Sequence, residues 1–345
     1  MKIQEQWADA ARPGNVAAIA VAAERPARAG SSLLRVLAED TVPNHAITLL
    51  DRGAEHARAA LARHNFDLLH LADAGATAQA LLPIARQRDI PVAATYSPAL
   101  ADLPPALLTA AGAVLSPSAT ADDQLAATRV ERTRICRWLP GVNPAQFHPA
   151  RYTPEVFGPV VSDSSIRLLY VSSDGDPNEL ETLADAFLRA RELSPGLQLV
   201  IASELPLPPR VKLRLGAAAS VLGSLNDKAL APAYASADLL VVPGHSDVFG
   251  ETTVAAQASG LPVLAVAGGA AEELIESGRS GLLVPHGAGP LSEAIGWLAR
   301  RATLRERLAT GGLLAVRARS WERSLAQLTA AWGLAASPAE VVCAA

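Results

Sequence analysis

The residues with the most chemical promise lie between Ser246 and Val263. An apolar run ends at Val242, Pro243-Gly244 turns the chain, and a segment of helical period opens near Glu251. A strand that hands over to a helix in this way aims unpaired backbone N–H groups and the positive end of the helix dipole at one spot. That spot suits a diphosphate. Thr252 and Thr253 add hydroxyl donors, Glu251 opens the helix, and the Phe249-Gly250 backbone can approach a ligand closely. A structural reading stands beside this one: Asp247 as the helix N-cap and Phe249 as a core side chain. Among the histidines, His70 at the carboxyl end of a strand and His245 beside Asp247 are best placed for a site, and a structural role is equally open to each. Candidate phosphate-binding cations are Arg25 and Arg28 in the loop after the first strand, and Lys212 between Arg210 and Arg214. Solvated surface charge is the alternative for all of them.

Short apolar runs alternate with longer stretches of helical period, the pattern of parallel βαβ units. Strands are expected at 16–23, 45–50, 67–71, 92–96 and 113–116, with helices at 30–39, 54–64, 77–88 and 119–129. From Trp138 to Pro159 the prolines and glycines crowd together and periodicity is lost, which marks a linker. A second series follows, with strands at 166–171, 197–202, 221–222, 239–242, 262–265 and 281–284. Its helices are expected at 179–192, 227–235, 252–258, 272–277, 289–300 and 304–310. The expected fold class is α/β with two Rossmann-like domains, 1–145 and 146–319, followed by a helix over 320–336. Open parallel sheets bind ligands beyond the carboxyl ends of their strands, so a cleft between the domains is the expected site.

The bulk properties exclude several classes. The 345 residues carry 30 basic against 34 acidic side chains and no polybasic run, so nucleic acid is not an expected partner. Cys136 and Cys343 are far apart and without CxxC or histidine spacing, so no metal site or disulfide framework is expected and the cytoplasm is the expected location. No stretch reaches the roughly 18 apolar residues of a membrane span, which leaves at most peripheral membrane contact.

The pattern acid, Phe249-Gly250, nine residues, Gly260-Leu261-Pro262-Val263 resembles the nucleotide-sugar segment of family 4 retaining glycosyltransferases (glycosyl transferases group 1), which have the GT-B fold. Gly268-Gly269, Glu273-Leu274-Ile275 and Gly281-Leu282-Leu283-Val284-Pro285 follow as that family would have them. Leu139-Pro140-Gly141-Val142-Asn143, Phe147-His148-Pro149 and Ser320-Trp321-Glu322-Arg323 are similar to its interdomain segment and its crossing helix. The resemblance implies that Asp247 accepts hydrogen bonds from donor-sugar hydroxyls, that backbone near Gly223 reads the base, that His70 belongs to the catalytic side, and that no metal or cofactor is needed.

Departures from that pattern lie in both halves: the loop 24–30 has a single glycine, Ala72 and Ser97 stand where histidines would, and three donor-side positions differ. The glutamate that would hold the ribose is Ala255, and the Arg and Lys that would neutralise the leaving diphosphate are Ser173 and Asn178, with Asp174 and Asp176 between them. Each charge-assisted hydrogen bond contributes about 1.5–3 kcal/mol, so losing three removes roughly 5–8 kcal/mol, on the order of 10³ to 10⁵ in binding or rate. A helix N-terminus returns at most about 2 kcal/mol. The resulting expectation is a degenerate donor site. Either a retaining transferase works with an altered set of donor contacts on a nucleotide-sugar and an unknown acceptor, or an inactive GT-B subunit serves a partner glycosyltransferase.

Overall fold

The computed structural model describes residues 17–23, 32–39, 42–50, 52–73, 75–96, 110–158, 165–172, 176–203 and 206–336. Arg25, Arg28 and Ser173 lie outside these residues.

Two six-stranded sheets carry the fold. The first contains β1 (Ala17–Ala22), β2 (His45–Leu50), β3 (Leu68–Leu71), β4 (Val92–Thr95), β5 (Ala113–Ser116) and β6 (Ile135–Arg137) in the order β2-β1-β3-β4-β5-β6. The second contains β7 (Ile166–Ser172), β8 (Leu197–Ser203), β9 (Ala219–Val221), β10 (Leu239–Val242), β11 (Val263–Val266) and β12 (Leu282–Val284) in the order β12-β11-β10-β7-β8-β9. β1 pairs in parallel with β2 and β3, and β3 with β4; in the second sheet every neighbouring pair is parallel. Strands covered on both faces need apolar side chains throughout, and β3, β4, β5, β10 and β11 are buried at every position.

Among the described residues the helices of the first series are α1 (Ser32–Glu39), α2 (Ala54–Arg63), α3 (Ala76–Gln87) and α4 (Ala119–Ala127). Those of the second are α5 (Pro177–Leu193), α6 (Pro209–Leu215), α7 (Asp227–Ser236), α8 (Glu251–Ala258), α9 (Gly269–Leu274), α10 (Ala288–Ala299), α11 (Ala302–Val316) and α12 (Trp321–Ala336). By their contacts the residues divide into two compact units: 1–114 with 128–134 and 330–345, and 115–127 with 135–329.

The second unit shows how sequence period becomes layering. Leu168, Tyr170, Leu239 and Val241 join one buried cluster with Leu183 and Phe187 of α5 and Leu291 and Ile295 of α10. Their alternate neighbours Leu169, Leu240 and Val242 join another with Val254 and Ala256 of α8. Alternation along β7 and β10 thus sends side chains to helices on opposite faces. α5 starts where Asp176 accepts the N–H of Asn178 at 2.8 Å and Pro177 takes the first helical position. α8 starts at Gly250, which is left-handed with φ 73°.

Candidate functional site

Strand order selects the site. In the second sheet the chain moves outward from β7 to β8 and β9, then returns to add β10 on the other side of β7. The loops after β7 and β10 therefore diverge at the switch point, the place where open α/β sheets bind their ligands. The first turn of α5 follows β7, and residues 243–250 follow β10.

Asp247 sits in the second of these loops. Its Oδ1 accepts the N–H of Thr252 at 3.2 Å, and its Oδ2 accepts the N–H and the hydroxyl of Thr253 at 3.1 and 3.0 Å. The first-turn donors of α8, expected to face a diphosphate, are thus directed at the protein's own carboxylate. Burial pushes the Asp247 carboxyl above its ordinary value, those hydrogen bonds pull it down, and the charge of Glu179 pushes it up again.

Glu179 was not singled out in the sequence. It lies in the first turn of α5, is 7% exposed, and accepts the N–H of Ser246 at 2.8 Å and the Ser246 hydroxyl at 2.5 Å. A Cβ at Gly244 would run into the Glu179 carboxylate, so the glutamate lies against the loop backbone. Only the strand order brings residues 179 and 246 together. The available signal was a glutamate early in the helix after the first strand of a Rossmann series, facing the loop after the fourth.

The remaining candidates scatter. Phe249 is half-buried and packs edge-on against Trp138, with ring centroids 5.2 Å apart. His245 is exposed, stacks with His286 at 6.5 Å, and lies against Gly268, where a Cβ would meet its ring. Glu251 is half-buried at the start of α8. Gly223 has φ 74° and open space around it. Asn178 is exposed, and Ala255 is 7% exposed inside the apolar cluster under α8. Lys212 is exposed on α6, while its neighbour Arg214 pairs with Glu181 and Asp185 of α5. Among the described residues no ion pair brings a cation to Glu179 or Asp247. Nor does any group of three or more His, Cys, Asp or Glu form a metal cage among them.

His70 belongs to the other unit and is fully buried on β3. The Trp332 indole N–H donates to its Nδ1 at 3.0 Å, so the proton of the neutral ring stands on Nε2. Nε2–H then donates to Thr95 Oγ1 at 2.8 Å. Burial lowers the imidazole to about 3. Both ring nitrogens are engaged within the protein, the arrangement of a histidine that holds structure.

Comparison with known proteins agrees with this architecture. Residues 165–301 match the family model described as Glycosyl transferases group 1. Over 171 residues the chain is 36% identical to a GDP-mannose-dependent alpha-mannosyltransferase of Mycolicibacterium smegmatis, covering 49% of this chain and 43% of that one. The chain spans less than half the length of the first curated relatives it matches. Among solved structures, sucrose-phosphate synthase of Thermosynechococcus elongatus superposes with a TM-score of 0.73 at 18% identity, over 92% of this chain and 98% of that chain. Anabaena HepE in complex with UDP and glucose gives 0.70 at 14%, over 90% and 98%. No helix among the described residues is long and apolar enough to cross a membrane. The chain therefore has the GT-B fold of two Rossmann-like domains, and its residues 165–301 form a domain of the glycosyl transferases group 1 family.

Proposed function

We propose that the chain is a retaining glycosyltransferase of the family 4 type, acting in the cytoplasm with an altered donor site and moving a sugar from a nucleotide-sugar to an acceptor. One observation carries the reading: the match over 165–301 contains both switch-point loops of the second sheet, with Asp247 in the loop after β10. Transfer breaks the bond between the sugar's anomeric carbon and the diphosphate, and forms a bond from that carbon to an acceptor oxygen on the same face. Asp247 still suits its role. Oδ1 accepts one hydrogen bond and Oδ2 two, which leaves a lone pair on Oδ1 for a sugar hydroxyl. In this reading the Phe249-Gly250 backbone and Thr252 line the sugar, Gly223 lies at the base, and Arg25, Arg28 or Lys212 supplies charge to the phosphates. His70 positions Trp332 and touches no substrate.

The relative named for GDP-mannose makes GDP the first nucleotide to try, and the HepE complex makes UDP the second. A thermal-shift titration with GDP, UDP, ADP and dTDP and their sugar derivatives tests the reading. A ligand at about 100 times its dissociation constant adds roughly 2.7 kcal/mol of stability. Stabilisation by one of them, with turnover of its sugar form, is the expected outcome, and a well-folded protein silent to all of them would sink it.

One observation favours a second reading, an inactive GT-B subunit that stabilises a partner glycosyltransferase. Glu179 and Asp247 direct two carboxylates at the loop N–H groups, and no ion pair among the described residues offsets them. Under that reading, affinity capture from the source cell returns a catalytic glycosyltransferase while the purified chain ignores every nucleotide.

A further inference from the structure

We propose that Glu179 is a built-in anion at the donor site: its carboxylate occupies the position, formed by the N–H and hydroxyl of Ser246, that a phosphate group of the ligand would otherwise take. The inference deepens the nucleotide-sugar reading and rests on its placement of the donor at the switch point.

Three observations carry it. The first is chemical. A loop N–H and a hydroxyl converging on one oxyanion are the donors that recognise phosphate, and here both converge on one carboxylate at 2.8 and 2.5 Å. The second is burial: at 7% exposure Glu179 is screened weakly, and it lies close enough to the Gly244 backbone that no other residue type fits at 244 without displacing it. The third is position, since the carboxylate projects from the helix after β7 onto the loop after β10, across the switch point itself. A diphosphate entering there must displace Glu179 from Ser246 and then tolerate its charge beside that of Asp247. Like charges held close in a partly desolvated loop oppose each other. Glu179 thus weakens the site's hold on the diphosphate.

The test uses the full chain and compares wild type with Glu179→Gln, which keeps the volume, and Glu179→Ala, which clears the position. Each is titrated calorimetrically with GDP, UDP and inorganic pyrophosphate after its fold is checked by circular dichroism. Both variants are expected to bind pyrophosphate and one nucleoside diphosphate at least tenfold more tightly than wild type, a gain of about 1.4 kcal/mol. Should only one variant fold, that one decides. A wild type that binds a nucleotide as tightly as the folded variants overturns the role of Glu179 and leaves the donor reading standing. A gain for pyrophosphate with no nucleotide bound by any form upholds Glu179 and removes the donor reading. Folded variants that bind neither pyrophosphate nor nucleotide overturn both.

Discussion

At the scale of single residues, protonation separates His70 from a catalytic base. A general base must sit near the working pH and reach a proton on the substrate. The His70 ring, lowered to about 3 by burial, accepts from Trp332 at Nδ1 and donates to Thr95 from Nε2. Its effect on stability has a definite sign. The folded value lies below the unfolded value of 6.5, so the unfolded chain binds the extra proton and stability falls as pH drops from about 6.5 toward about 3. The slope from this one group reaches at most about 1.4 kcal/mol per pH unit. His70→Leu removes the titration and leaves the Trp332 N–H unpaired, costing about 1–3 kcal/mol at pH 7. Urea unfolding at pH 7, 5.5 and 4.5 is expected to show the gap between wild type and variant narrowing with acidity. Parallel profiles would show that His70 titrates normally.

At the scale of elements, much of the fold was legible. The strands at 45–50, 113–116 and 239–242 have the bounds that their apolar runs and flanking turns suggest, and 92–96 and 166–171 differ by one residue. β6 leaves no strand signal in the sequence, because Ile135–Arg137 is only three residues long and sits where proline and glycine begin to crowd. α6 carries no visible period in the sequence because Arg210, Lys212 and Arg214 mask the buried Val211 and Leu215. In the site, Asp247 is legible as an acid before a helix: its carboxylate accepts the first-turn N–H groups of α8, although Gly250 and not Asp247 is the N-cap residue. Glu179 was not legible, because its partner Ser246 stands 67 residues away. Gly250 gives this scale its own prediction. It is left-handed at φ 73°, and a Cβ there would overlap Leu274 Cδ1, so it fixes how α8 leaves the loop and seats against α9. Gly250→Ala carries a conformational penalty of about 1–2 kcal/mol and an overpacking cost of about 1–3. A loss of roughly 2–5 kcal/mol in denaturant unfolding is expected; a loss under 1 would mean that α8 reseats freely.

At the scale of the whole molecule, α12 divides between the two units. Its residues 321–329 count with the second unit, where Ser324 accepts the Trp138 indole N–H through its carbonyl at 3.0 Å and donates its hydroxyl to the Leu139 carbonyl at 2.9 Å. Residues 330–336 count with the first, where Trp332 is 2% exposed and Ala335 lies so close to Gly112 that a Cβ there would collide with its backbone. One helix therefore belongs to both units, to the second through the hydrogen bonds of Ser324 and to the first through Trp332 and Ala335. Truncating a buried aromatic costs about 3–5 kcal/mol, a large share of what holds a domain of ordinary size together. Trp332→Ala also removes the donor to His70 Nδ1, so the loss belongs to the first unit. The second keeps β7 to β12, the Trp138–Ser324 bond and the loops that hold Glu179 and Asp247. Calorimetry of Trp332→Ala is accordingly expected to show a lowered transition from the first unit, and proteolysis to cut first within 17–114. The peptides of 165–301 are expected to keep wild-type resistance, because no side chain of that unit's core has changed. Equal loss of protection in both units would show that they unfold as one and that α12 couples their stabilities.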